Sequence, residues 1–193
     1  MMYDTLIEQG RRAYENDDYA KAIEYATQAI ELEPKCIEAY FLRGETYFSD
    51  CAFEEALQDY RKIIEIDPLN ADAYVHCGEI YADDGSNKEA FHAYDRAIEL
   101  NPRHARAYYS RAFANFGKKD DNAALQDYSK AIEFDTHNIR AYVCRGEVYV
   151  HKGDHDAAIR DYTKAIELDP KRAATYVSRG EVYDCRGDRE RAL

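Results

Sequence analysis

Four glutamates, Glu45, Glu79, Glu147 and Glu181, stand 34 residues or a multiple of 34 apart, and Phe113 holds the place between the second and third. Carboxylates at a fixed interval suit one of two chemistries. Close pairs can exchange protons as general acid and base, whereas a row of separate charges can hold ammonium or guanidinium groups. The even recurrence favours a charged, solvated face and gives no sign of catalysis. Other reactive residues are scattered. His151 and His155 are separated by Gly153, which breaks the helical face a metal pair would need. The Asp83-Asp84-Gly85 and Asp120-Asp121-Asn122 runs lack calcium-loop spacing and suit turns. No Gly-rich loop follows a strand to cradle phosphate. We expect no catalytic residue, no metal and no cofactor.

The elements that carry the glutamates repeat with them. Units of 34 residues begin at Tyr3, Ile37, Ala71, Ala105, Ile139 and Ala173, which gives repeats 3–36, 37–70, 71–104, 105–138, 139–172 and a truncated 173–193. Position 4 of each unit is Leu6, Tyr40, Tyr74, Tyr108, Tyr142 and Tyr176. Position 8 is Gly10, Gly44, Gly78, Ala112, Gly146 and Gly180, and position 20 is always Ala. Rings return at position 11 (Tyr47, Tyr81, Tyr149, Tyr183) and position 24 (Tyr60, Tyr94, Tyr128, Tyr162), and Pro34, Pro68, Pro102 and Pro170 stand at position 32.

Positions 4, 8 and 11 share one helical face, and 20, 24, 27 and 28 share a second. Small residues at 8 and 20 let two antiparallel helices approach, with the rings filling the space beside them. Gly85, Gly153 and Gly187 at position 15 suit a left-handed turn, and the proline ends the second helix. Such hairpins bury their apolar faces only by stacking. The expected fold is an all-α, right-handed superhelical solenoid of antiparallel helix-turn-helix units, a single array over 1–193. Repeat 4 departs most, with Ala112, Asn115 and Thr136 at the Gly, Tyr and Pro places.

This 34-residue pattern resembles the tetratricopeptide repeat (TPR) family over essentially the whole chain. Tyr stands where the family often has Trp, and Arg or Cys often replaces Leu at position 7. The resemblance implies a protein-interaction module, with the stripe at positions 2, 5, 9 and 12 of each first helix lining a concave groove. Many peptide-binding members carry Asn at position 9, where this chain has Glu. The Lys and Asn clamp of the chaperone-tail subfamily matches no three consecutive units, so an acidic heat-shock-protein tail is not the expected ligand.

The stripe supplies the candidate binding residues: Glu45, Glu79, Glu147 and Glu181 at position 9, with Phe41, Val75 and Val143 at position 5. Tyr109, Phe113 and Phe116 form an aromatic row where the acidic ladder breaks, flanked by Arg106 and Arg140. The row reads either as a ligand anchor or as rings filling space left by Asn115 and the missing Gly.

A net charge of −12 opposes binding to nucleic-acid phosphates or anionic membranes. No segment reads as a membrane span or signal peptide. Five scattered cysteines without C-x-x-C spacing suit reduced thiols in the cytoplasm. The expected function is a non-catalytic scaffold gripping a peptide or helical segment, basic or amphipathic and bearing Lys or Arg, in an acidic concave groove. Two alternatives stand beside it. One is a regulatory or substrate-recruiting arm of a larger enzyme continuing beyond residue 193; the other is an assembly scaffold using array ends and convex face. The truncated last repeat is expected to expose its packing face near Tyr176, Val182 and Tyr183 and to self-associate.

Overall fold

The computed structural model describes residues 2–187. Among them are eleven α-helices and no strand: α1 (Met2–Glu15), α2 (Tyr19–Leu32), α3 (Ile37–Ser49), α4 (Phe53–Ile66), α5 (Ala71–Asp83), α6 (Asn87–Leu100), α7 (Ala105–Gly117), α8 (Asp121–Phe134), α9 (Ile139–His151), α10 (His155–Leu168) and α11 (Ala173–Arg186). The expected second helix of repeat 6 lies in residues 188–193, outside the described residues.

Local chemistry starts and stops these helices. Asp18, Asp120 and Asp154 cap α2, α8 and α10 by accepting the N–H of Lys21, Ala123 and Ala157. Asn70, His104 and Asn138 do the same for α5, α7 and α9. Losing such a cap typically costs about 0.5–2 kcal/mol. Between the two helices of each hairpin the chain turns left-handed at one residue, position 15. The φ values are +80°, +78° and +84° at Gly85, Gly153 and Gly187, and +58°, +61° and +62° at Asp17, Cys51 and Lys119. The turn is thus set by the hairpin, with glycine only relieving it in half the repeats.

Close helix approach follows from the small residues. A Cβ at Gly78 would lie 2.5 Å from the Tyr94 ring, and one at Gly146 would lie 2.7 Å from Tyr162. The position-24 rings Tyr60, Tyr94, Tyr128 and Tyr162 are all buried, as are Ala22, Ala56, Ala90, Ala124 and Ala158 at position 20. The position-4 rings tie each hairpin to the one before. The hydroxyls of Tyr40, Tyr108 and Tyr176 donate to the carbonyls of Pro34, Pro102 and Pro170.

The helices fall into two compact units, Met1–Leu100 and Asn101–Leu193. In the first, α1 to α6 pack in chain order, and α1 also touches α3; in the second, α7 to α11 do the same, and α7 touches α9. In α11, Tyr176 is 42% exposed, whereas Val182 is buried, contrary to the expectation for that valine. Val182 joins the core formed with Tyr162 and Ala165 of α10.

Candidate functional site

A row of arginine–aspartate pairs underlies the hairpins. Arg43, Arg111 and Arg145 at position 7 make bidentate contacts with Asp59, Asp127 and Asp161 at position 23, with N–O distances of 2.7–2.9 Å. Each guanidinium also lies over the position-4 ring of its own helix: Arg43 over Tyr40 at 5.7 Å, Arg111 over Tyr108 at 5.6 Å and Arg145 over Tyr142 at 5.9 Å. Arg43 and Arg145 donate further to Thr27 and Ser129 on the preceding hairpin. Burial pushes the Asp59 carboxyl above the usual range, against the opposing pull of Arg43. Asn115, the odd residue at the position-11 place, reaches Asp127 Oδ2 at 3.3 Å and joins the pair instead of packing as a ring.

In the first unit, the exposed edge of the first helices carries Asp4, Glu38 and Asp72 at position 2 and Glu45 at position 9. Glu79 is half-buried, with its carboxylate 3.7 Å from His76 Nδ1. The His76 ring in turn stacks on Tyr60 at 4.6 Å and packs edge-on with Phe41 at 5.9 Å. Phe41 is half-buried, but Val75 is fully buried and has no surface to offer a ligand.

Within each unit, position 5 of one first helix packs beside position 6 of the next, 35 residues on, as Phe41 does with His76 and Tyr109 with Cys144. Val143, also at position 5, is 9% exposed. Position 5 therefore holds neighbouring first helices together and is not the centre of an open stripe.

In the second unit, Arg106, Arg140, Glu147 and Glu181 are exposed. The aromatic row divides. Phe113 is 60% exposed, whereas Tyr109 leans on Tyr128 at 5.8 Å and its hydroxyl lies 3.8 Å from Cys144 Sγ. Phe116 meets the His151 ring edge-on at 6.0 Å. Desolvation raises the pKa of Tyr109, and desolvation also lifts the Glu147 carboxyl above its ordinary value, opposed by Arg172. His151 is paired with Asp121 at 2.6 Å. Among the described residues no cluster of three His, Cys, Asp or Glu is placed to hold a metal, and no helix is long and apolar enough to cross a membrane.

The aspartate partners of the position-7 arginines are not among the residues that the 34-residue pattern singles out. The signal is a 16-residue spacing shared by Arg43/Asp59, Arg111/Asp127 and Arg145/Asp161, with both members changed together to Cys77 and Ala93 in the third repeat.

An all-α helical repeat solenoid of this kind, with tyrosine-on-glycine hairpins, defines a class of interaction scaffolds. The chain belongs to the tetratricopeptide repeat family, which matches residues 7–71, 78–119, 105–138 and 139–172. Among solved structures, the MamA protein is 31% identical, with 81% of this chain and 85% of that chain covered and a TM-score of 0.68. YrrB, described as a TPR protein with an unusual peptide-binding site, is 25% identical over 87% of each chain, with a TM-score of 0.65. PilF of Pseudomonas aeruginosa shares the fold at 16% identity, with 98% and 86% covered and a TM-score of 0.85. No curated protein matches the chain significantly.

Proposed function

We propose that this chain is a non-catalytic scaffold that grips a Lys- or Arg-bearing peptide segment, and that the acidic edge of the first unit is the main contact. The observation that carries this reading is the placement of Glu79 beside His76, whose ring packs against Phe41 and Tyr60. A cation entering there would meet the Glu79 carboxylate with the half-buried Phe41 ring nearby in the same cluster. Cation–π contact contributes about 0.5–2 kcal/mol, and the exposed acids Glu38, Glu45 and Asp72 along the same edge steer basic segments toward it. In the second unit, Phe113 offers an exposed ring between Arg106 and Arg140, with Glu147 and Glu181 as the acidic groups. That arrangement suits an amphipathic segment that places an apolar residue on Phe113. YrrB's peptide-binding site gives a precedent for such a role in a similar chain.

The exposed Tyr176 and Val177 of α11 support self-association as a second contact, read by sedimentation at increasing concentration. Five free cysteines fit a reducing, cytoplasmic setting.

The test is capture from cell lysate by wild type and by a Glu79→Lys, Glu147→Lys variant, at low and high salt. Binding lost in the variant and weakened by salt supports the reading. Equal capture by both proteins would remove the acidic edge from consideration.

A further inference from the structure

The third repeat interrupts the arginine–aspartate framework at both of its ends. Cys77 stands where Arg43, Arg111 and Arg145 stand in their repeats, and Ala93 stands where Asp59, Asp127 and Asp161 stand. A cavity of about 420 Å³ lies at this spot between α4, α5 and α6, with Cys77 and Ala93 among its lining residues. Ile64, Cys77 and Ala93 form its apolar floor, and the Tyr74 and Tyr81 rings form its walls. The α5 residues that line it occupy positions 4, 7 and 11, away from Asp72 and Glu79 at positions 2 and 9, so the cavity is separate from the acidic edge.

Its rim has a charge opposite to that of the chain. Arg61 and Lys88 border the opening beside His92, with Glu89 as the acid among the lining residues. Arg61 is held in place: its Nη2 donates to the Tyr81 hydroxyl at 2.8 Å, and its guanidinium lies 6.0 Å from the centre of that ring. This leaves one face of a fixed cation over an apolar cavity. Burial pushes the Cys77 thiol up to about 12, so it stays protonated and contributes packing surface, with no nucleophile or anion at the floor.

We propose that this cavity binds a small aryl carboxylate, with the ring between Tyr74 and Tyr81 against Cys77 and the carboxylate at Arg61 and Lys88. A volume near the lower end of the ligand-pocket range limits the apolar part to one or two fused rings. In a chain of net charge −12, a local pair of cations over an apolar floor selects an anion with an apolar body over a hydrophilic one.

The probe is 1-naphthoate, titrated into the full 15N-labelled chain and followed by amide chemical shifts. The expected result is a saturable shift of Cys77, His92 and Ala93, with 1-naphthalenemethanol at least tenfold weaker. A Cys77→Arg, Ala93→Asp variant, which builds the pair found in repeats 2, 4 and 5, should fold and show no saturable shift. Lys88→Glu, an exposed substitution, should weaken binding at least fivefold with the rest of the spectrum unchanged, and it decides the matter if the double variant does not fold. Glu79→Lys should leave the affinity as it is. The absence of saturation in wild type, equal binding of the neutral alcohol, or undiminished binding by the folded double variant or by Lys88→Glu would each overturn the assignment.

Discussion

Arg145 and Asp161 meet through two parallel hydrogen bonds, Nε to Oδ2 and Nη2 to Oδ1, both 2.7 Å long. Their side chains are 18% and 8% exposed, so water screens the pair poorly. Arg145 is also fixed by Ser129 and by the face of Tyr142. Removing one partner strands a charge. We expect Arg145→Ala or Asp161→Ala to cost about 3–5 kcal/mol, the typical penalty for breaking a buried pair. The double change Arg145→Ala, Asp161→Ala should cost less than the sum, since it strands no charge, as Cys77 and Ala93 stand without either charge. Urea midpoints of the four proteins give the coupling.

Position 15 provides a second test. Lys119 turns left-handed at φ +62°, where Gly153 does so at +78°. The left-handed region costs a non-glycine residue about 1–2 kcal/mol, and glycine gives back about 0.5–1 kcal/mol of chain entropy. Lys119→Gly should therefore raise stability by about 0.5–1 kcal/mol, the difference of those two effects. Gly153→Ala should lower it by a similar amount. Thermal denaturation separates the two signs.

Phe113 is exposed, unlike its neighbours in the aromatic row. A mostly exposed ring stabilises little, so Phe113→Ala should change stability by no more than about 0.5 kcal/mol. If it anchors a ligand, captured partner should fall several-fold. Tyr109→Ala should behave oppositely, destabilising the chain through its lost contact with Tyr128.

Glu147 gives a test by pH. Desolvation holds its carboxyl above the ordinary value in the folded chain, with Arg172 opposing. A raised folded pKa means that the charged form is the less favoured one on folding. The stabilisation that the neutral acid brings is present below the unfolded pKa and is lost as pH rises through the folded one. Glu147→Gln should therefore flatten the stability profile across that window and leave the chain slightly more stable at neutral pH. A basic peptide pairing with Glu147 favours the carboxylate, so its binding should release protons, measurable by calorimetry in buffers of different ionisation enthalpy.

Turn positions and the glycine–tyrosine packing were legible in the sequence because each is decided within one hairpin. The Gly78–Tyr94 approach lies inside a single 34-residue unit. The turn at position 15 was only half visible, since Asp17, Cys51 and Lys119 adopt it without glycine. The acidic ladder could be read as a ladder, but not which of its neighbours a ligand could touch. That depended on how first helices stack within each unit: position 5 packs beside position 6 of the next hairpin, as Tyr109 does with Cys144, while Phe113 stays outside. Likewise, the repeat gave each residue its place along a helix, while only the packed structure joined Arg145 to Asp161 and opened a cavity where Cys77 and Ala93 replace such a pair. Periodicity reports the direction a side chain faces from its own helix; what it meets there is settled by contacts between elements, and those carry no period of their own.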